Sequence, residues 1–175
     1  MGLFDSIVKG VKAAIDDYKT PDSFKVGQLF EEIVREGIFP SNYYDLVEKT
    51  HDYHTNKNDY VEASKRPDYT FRDRYTKKLF YVEVKFRSTL LNGKIEWTNP
   101  AQLTRYNEAQ KQYPVFVLLG TLDKDDKIRA FLIPLTEAKY TGIYPSFAEK
   151  FRIDIEKPLP SKKLWDRLVK KQINC

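Results

Sequence analysis

The chain has 175 residues, 41% hydrophobic and 31% charged, with a formal net charge of +5. This balance excludes a disordered chain and suits one domain with a substantial core. The basic excess is compatible with a polyanionic partner. The single cysteine, Cys175, excludes an internal disulfide framework and a thiolate metal site.

The cysteine usage fits a reducing, cytoplasmic setting. No run reaches the ~20 apolar residues that span a bilayer, so no stable membrane anchoring is expected. The N-terminus lacks the pattern of a signal peptide.

Residues 1–20 are expected to form an amphipathic helix separate from the domain at 21–175. Leu3, Phe4, Ile7, Val8, Val11, Ala14, Ile15 and Tyr18 fall on one face. Such a helix docks on the domain, on a partner subunit or on a membrane surface. Met1-Gly2 with Ser6 also fits a short myristoylation pattern.

Thr20-Pro21-Asp22 breaks this helix, and Ser23 is placed to cap the next. That helix is expected to run to Glu36, with Val26, Leu29, Phe30, Ile33 and Val34 inward and Gly37 as its stop. Residues 38–66, rich in Tyr, Asn, Asp and Lys, read as loop with a short strand. His51 and His54 lie there; without cysteine partners they read as loop residues rather than metal ligands.

From Pro67 the pattern sharpens. Residues 68–72 read as a strand, 73–78 as a polar turn and 79–91 as a long strand. Asn92-Gly93 is a two-residue hairpin signal, with the return strand expected over 94–98. Asn99-Pro100 caps and opens a helix to about Gln112. The apolar run 115–119 reads as a buried strand, and 127–133 as another. Ser161 is expected to cap a last basic helix containing Leu164, Trp165, Leu168 and Val169. Its Lys162, Lys163, Arg167, Lys170 and Lys171 suit phosphate contact or a solvated face. The order gives an α/β fold, a mixed sheet with helices packed on it.

Along the long strand, Val82, Val84 and Phe86 point one way and Tyr81, Glu83, Lys85 and Arg87 the other. The preceding strand begins at Pro67-Asp68, so the Asp68 carboxylate can lie beside Glu83 across the hairpin. Two carboxylates that close repel and call for a cation between them. A hard divalent ion fits oxygen ligands, Mg²⁺ foremost with Mn²⁺ as a substitute. Lys85 shares the face of Glu83 and can orient or deprotonate a water. A cation beside it would push its pKa down.

Pro67-Asp68 followed by Glu83-Val84-Lys85 on the next strand resembles the PD-(D/E)xK nuclease superfamily, which includes restriction endonucleases, Holliday-junction resolvases and RecB-like nucleases. The upstream helix segment Gly27-Gln28-Leu29-Phe30-Glu31 matches the spacing that family shows, with Glu31 as third acid and Glu32 as alternative. Gln102-Leu103-Thr104-Arg105-Tyr106 resembles the Q-x-x-x-Y motif of RecB-like relatives. The resemblance spans roughly residues 23–120. It implies a restriction-endonuclease-like fold and Mg²⁺-dependent hydrolysis of DNA. Asp68, Glu83, Glu31 and the Val84 carbonyl would hold the metal. Lys85 would serve catalysis, and Gln102, Tyr106 and Arg87 the substrate. Many members cut as dimers, so a homodimer is an expectation.

Two other readings stand beside this one. A nuclease-like module can grip DNA without cutting it. An interaction protein can dock through the N-terminal helix. Trp97, Tyr106 and Tyr113 suit either base stacking or the core. No glycine-rich phosphate loop and no Ser-His-Asp or Cys-His motif is present, which removes nucleotide-hydrolase and acyl-transfer readings.

Overall fold

A computed structural model of the chain describes residues 23–50, 66–125 and 127–169, with 5, 6, 9, 10 and 13 as isolated helical positions. The remaining positions of the expected N-terminal helix lie outside the described residues, as do His51, His54, Lys170, Lys171 and Cys175.

The first full element, α1, covers Ser23–Glu32. Val26 and Phe30 are buried, as the helical spacing requires. The chain then widens into a π-helical turn over Ile33–Ile38, closed by the Phe39 N–H donating to the Val34 carbonyl at 2.8 Å. The expected stop at Gly37 is thus replaced. Ile33, Val34, Ile38 and Phe39 are all buried, and the wider turn lets that closely spaced set face inward together.

Among the described residues the main sheet has six strands. They are β1 (Tyr44–Lys49), β2 (Tyr69–Asp73), β3 (Leu79–Arg87), β5 (Val115–Leu122), β6 (Ile128–Pro134) and β8 (Arg152–Ile153). Their spatial order is β1-β2-β3-β5-β6-β8. Among the described strands only β3 and β5 run parallel, from Tyr81↔Val115 to Arg87↔Thr121. The crossover between them carries α2 (Pro100–Ala109). Asn99 caps α2 as expected, its Oδ1 accepting the Gln102 N–H at 2.9 Å.

The turn after β3 is also as expected, with Asn92 and Gly93 at φ 51° and 74°. Leu91 and Lys94 exchange backbone hydrogen bonds across it at 2.9 and 3.0 Å. The return strand differs. β4 covers only Ile95–Glu96 and pairs with β7 (Gly142–Ile143) in a separate ribbon. It does not join β3, which pairs with β2 as far as Val82 and with β5 from Tyr81 to Arg87.

Both faces of the sheet are covered. Phe71, Phe80, Val82, Phe116 and Leu118 pack under α1 and the C-terminal segment. Tyr81, Val117, Leu119, Phe131 and Ile133 pack with Trp97 and Tyr106 on the other side. Gly120 of β5 lets Phe30 and Phe86 lie directly on the backbone, since a Cβ there would sit 2.6 Å from the Phe30 ring. This close approach sets how near α1 comes to the sheet.

After the short α3 (Pro145–Ala148), the last described helix, α4, covers Ser161–Trp165 and tightens into a 3-10 turn over Asp166–Leu168. Ser161 does not cap it; Pro160 holds that position. The Ser161 hydroxyl instead donates to buried Asp73, joined by Trp165 Nε1 at 2.6 Å and Thr76 Oγ1 at 2.7 Å. Burial works against the Asp73 charge, but these donors hold its pKa below the ordinary value. No helix among the described residues is long and apolar enough to cross a membrane.

Candidate active site

The sheet forks where β2 leaves β3. Their pairing begins at Tyr69↔Val82, so residues 83–87 of β3 extend past the end of β2. Asp68 stands at the fork. Its Oδ2 accepts the Val84 N–H at 2.8 Å, and its own N–H donates to Glu83 Oε2 at 3.2 Å. A strand residue points its N–H and C=O to the same edge, so the Val84 carbonyl also faces the fork.

Glu83 is 1% exposed. Its Oε1 accepts from the Tyr106 hydroxyl at 2.6 Å and pairs with Lys85 Nζ at 2.6 Å. Alternation places Glu83 and Lys85 on one face, and α2 lays Tyr106 over that face. Trp97 stacks on Tyr106, ring centroids 6.0 Å apart and 18° from parallel. The Trp97 indole N–H is tied to the Tyr140 carbonyl at 2.8 Å. Aromatic packing therefore fixes the donor that holds Glu83.

The chain matches no family model, no curated protein and no solved structure.

The two carboxylates differ in setting. Burial and then the Glu83 charge push the Asp68 carboxyl up to about 8, against the relief given by Lys85 and the Val84 N–H; Glu31 adds to the rise. Burial opposes the Lys85 charge, yet Glu83 and Asp68 outweigh it and raise its pKa. Tyr106 is raised too, by burial and then by the Glu83 charge.

Glu31 reaches the fork from the α1 side. It accepts from the Tyr69 hydroxyl at 2.8 Å and pairs with Lys49 at 3.6 Å. Glu32, the alternative acid, is exposed. Both acids line a cleft of about 440 Å³ with Arg35, Lys49, Lys85 and Arg87. The Arg87 guanidinium is spent largely on structure, donating to the carbonyls of Glu96 at 2.7 Å and Phe86 at 2.9 Å. Gln102 accepts from the Thr98 hydroxyl at 3.1 Å, one turn before Tyr106 on α2. No three His, Cys, Asp or Glu side chains among the described residues group closely enough to enclose an ion unaided.

Asp68, Glu83, Lys85 and Tyr106 thus form one bonded cluster, with Glu31 across the fork. Lys49 and Tyr69 belong to the same neighbourhood and were missed in the sequence. Lys49 lies in the stretch whose composition resembles a loop, and Tyr69 reads as a core aromatic. The signal that points to Tyr69 is its place next to Asp68, on the opposite face of the strand.

Proposed function

We propose that the chain is a metal-dependent nuclease hydrolysing DNA phosphodiester bonds, of the PD-(D/E)xK type and with a restriction-endonuclease-like arrangement of its mixed sheet. The observation that carries this reading is the convergence of Asp68, Glu83 and Lys85 at the fork, beside an open cleft with basic walls.

The residues fit a magnesium ion. Mg²⁺ takes one or two carboxylates and keeps several waters, so it needs no closed cage. Burial raises the Asp68 carboxyl first, and the Glu83 and Glu31 charges raise it further; a cation would relieve that electrostatic part. Asp68, Glu83 and the Val84 carbonyl would hold the ion, with Glu31 completing the acidic set. When bound, it supplies Lewis-acid polarisation of the phosphodiester and a nucleophile at neutral pH.

The chain's own residues do the rest. Lys85 presents a retained positive charge to the cleft, where it can bind a non-bridging phosphate oxygen and orient water. Tyr106 keeps Glu83 from rotating. Tyr69 and Lys49 hold Glu31 in place. Arg35 and Lys49 give the cleft its attraction for phosphate. Gln102 and Arg87 support substrate placement indirectly, by fixing the segment that carries Trp97.

The test is a panel of labelled DNA and RNA structures incubated with Mg²⁺, Mn²⁺ or chelator. Metal-dependent cleavage of DNA is expected, falling at least about 100-fold in Lys85→Gln. Glutamine is preferable to alanine here because, although both lose the ammonium, its amide keeps a hydrogen-bond donor near Glu83. From sequence alone Lys85→Ala is expected to leave folding intact, but the ammonium neutralises a buried carboxylate. Its loss costs on the order of 3 kcal/mol. Unchanged turnover in Lys85→Gln refutes the assigned mechanism. Metal-independent binding without cleavage of any substrate identifies the inactive DNA-binding module instead.

A further inference from the structure

A second groove, of about 650 Å³, runs between α2 and the β4–β7 ribbon. Leu103 and Asn107 line it from α2, with Lys94, Lys139, Tyr140 and Tyr144 opposite. Tyr140 is 76% and Tyr144 56% exposed; Tyr43 and Tyr75 are exposed too, but outside this groove, which brings two exposed rings together with lysines. Lys94 Nζ lies 5.1 Å from the centre of the Tyr144 ring, so one aromatic face already carries a cation.

The groove is fastened to the candidate centre. Trp97 donates to the Tyr140 carbonyl and stacks on Tyr106, which holds Glu83. On the other side of β4, Arg87 of the first cleft donates to the carbonyl of Glu96, whose residue lines the second.

We propose that this groove binds a single strand of nucleic acid, with unpaired bases stacking on Tyr140 and Tyr144 and the backbone drawn to Lys94 and Lys139. Exposed aromatic rings beside lysines are the two elements that hold an unpaired strand without regard to sequence. A duplex hides its base faces and cannot use the rings. The volume lies in the range of sites that enclose small ligands, enough for a nucleotide unit. The inference rests on the nuclease reading for its sense, since it places a single strand beside the cutting centre. Its test reads binding alone.

The full chain is titrated in chelator with a fluorescent oligothymidylate and with a duplex of equal length, by anisotropy. The single strand is expected to bind more tightly. The double variant Tyr140→Ser/Tyr144→Ser should bind it at least about fivefold more weakly, with its thermal transition unchanged because both side chains are exposed. Lys139→Glu should reduce the salt dependence of binding. An oligonucleotide bearing 5-iodouracil should crosslink to Tyr140 or Tyr144. Equal binding by parent and double variant, a preference for duplex, or crosslinks elsewhere overturns the proposal. Cleavage by the parent with unaltered single-strand binding in the double variant removes the groove and leaves the nuclease. Weakened binding in the double variant, with no metal-dependent cleavage by the parent, does the reverse.

Discussion

Replacing Asp68 by asparagine should make the metal-free protein more stable at mildly alkaline pH while abolishing cleavage. Asparagine keeps an oxygen for the Val84 N–H, the bond measured at 2.8 Å, and removes the charge. The Asp68 carboxyl has an ordinary value of 3.8 and is pushed up to about 8 in the fold, by burial and by Glu83. Between those values the folded chain holds a proton that the unfolded chain has released. The stability this gives is present at low pH and is lost as pH rises towards about 8. From about pH 5 to about pH 8, at about 1.4 kcal/mol per pH unit, the ceiling is about 4 kcal/mol. Water entry and rearrangement at the fork reduce this to ~2 kcal/mol. With an m-value of ~2 kcal/mol/M, the urea midpoint of the parent, relative to Asp68→Asn, should fall by about 1 M across that range in chelator. Parallel pH profiles for parent and variant would refute the argument, since they would mean that Asp68 titrates alike in both states.

Two further substitutions separate support from chemistry. Tyr106→Phe keeps the ring against Trp97 and removes the hydroxyl 2.6 Å from Glu83. A buried hydrogen bond to a charged group contributes ~2 kcal/mol, so the melting temperature should drop by roughly 4–8 °C in calorimetry. Gly120→Ala sets a methyl group against Phe30 and Phe86, and overpacking of this kind costs ~1–3 kcal/mol. Because Phe30 precedes Glu31 on α1, the same variant should weaken cleavage with Asp68, Glu83 and Lys85 untouched; chemical denaturation and single-turnover rates measured together check both effects.

Much of the fold was legible because the signals were local. Asn99 before Pro100 satisfies the first turn of its own helix, and Asn92-Gly93 supplies two residues able to hold positive φ. The run from Val115 is apolar because both of its faces are covered. The pairing of Asp68 with Glu83 was legible for the same reason: a hairpin of short span fixes which residues meet. What was not legible depended on distant partners. The neighbour of β4 is β7, which arrives later in the chain and which nothing local to β4 announces. Ser161 looks like a helix cap until Asp73, 88 residues away in sequence, claims its hydroxyl. The π turn was hidden because a 3.6-residue period and a slightly wider one place Ile33 and Val34 alike, and diverge only at Ile38 and Phe39.

The distribution of donors at the fork explains why two neighbouring acids are not equivalent. Glu83 is fully enclosed, yet it has a phenol, an ammonium and a backbone N–H within bonding distance, so its charge is met where it lies. Among the described residues the one hydrogen bond to the Asp68 carboxylate comes from the Val84 N–H. Lys85 relieves it only through space, and Glu31 opposes that relief from the other face. A full set of donors on both acids would leave a divalent ion little to gain. Strand β2 departs at Asp68 and withholds the pairing that would have closed the edge, so the under-supplied carboxyl sits beside Val84, which lines the cleft.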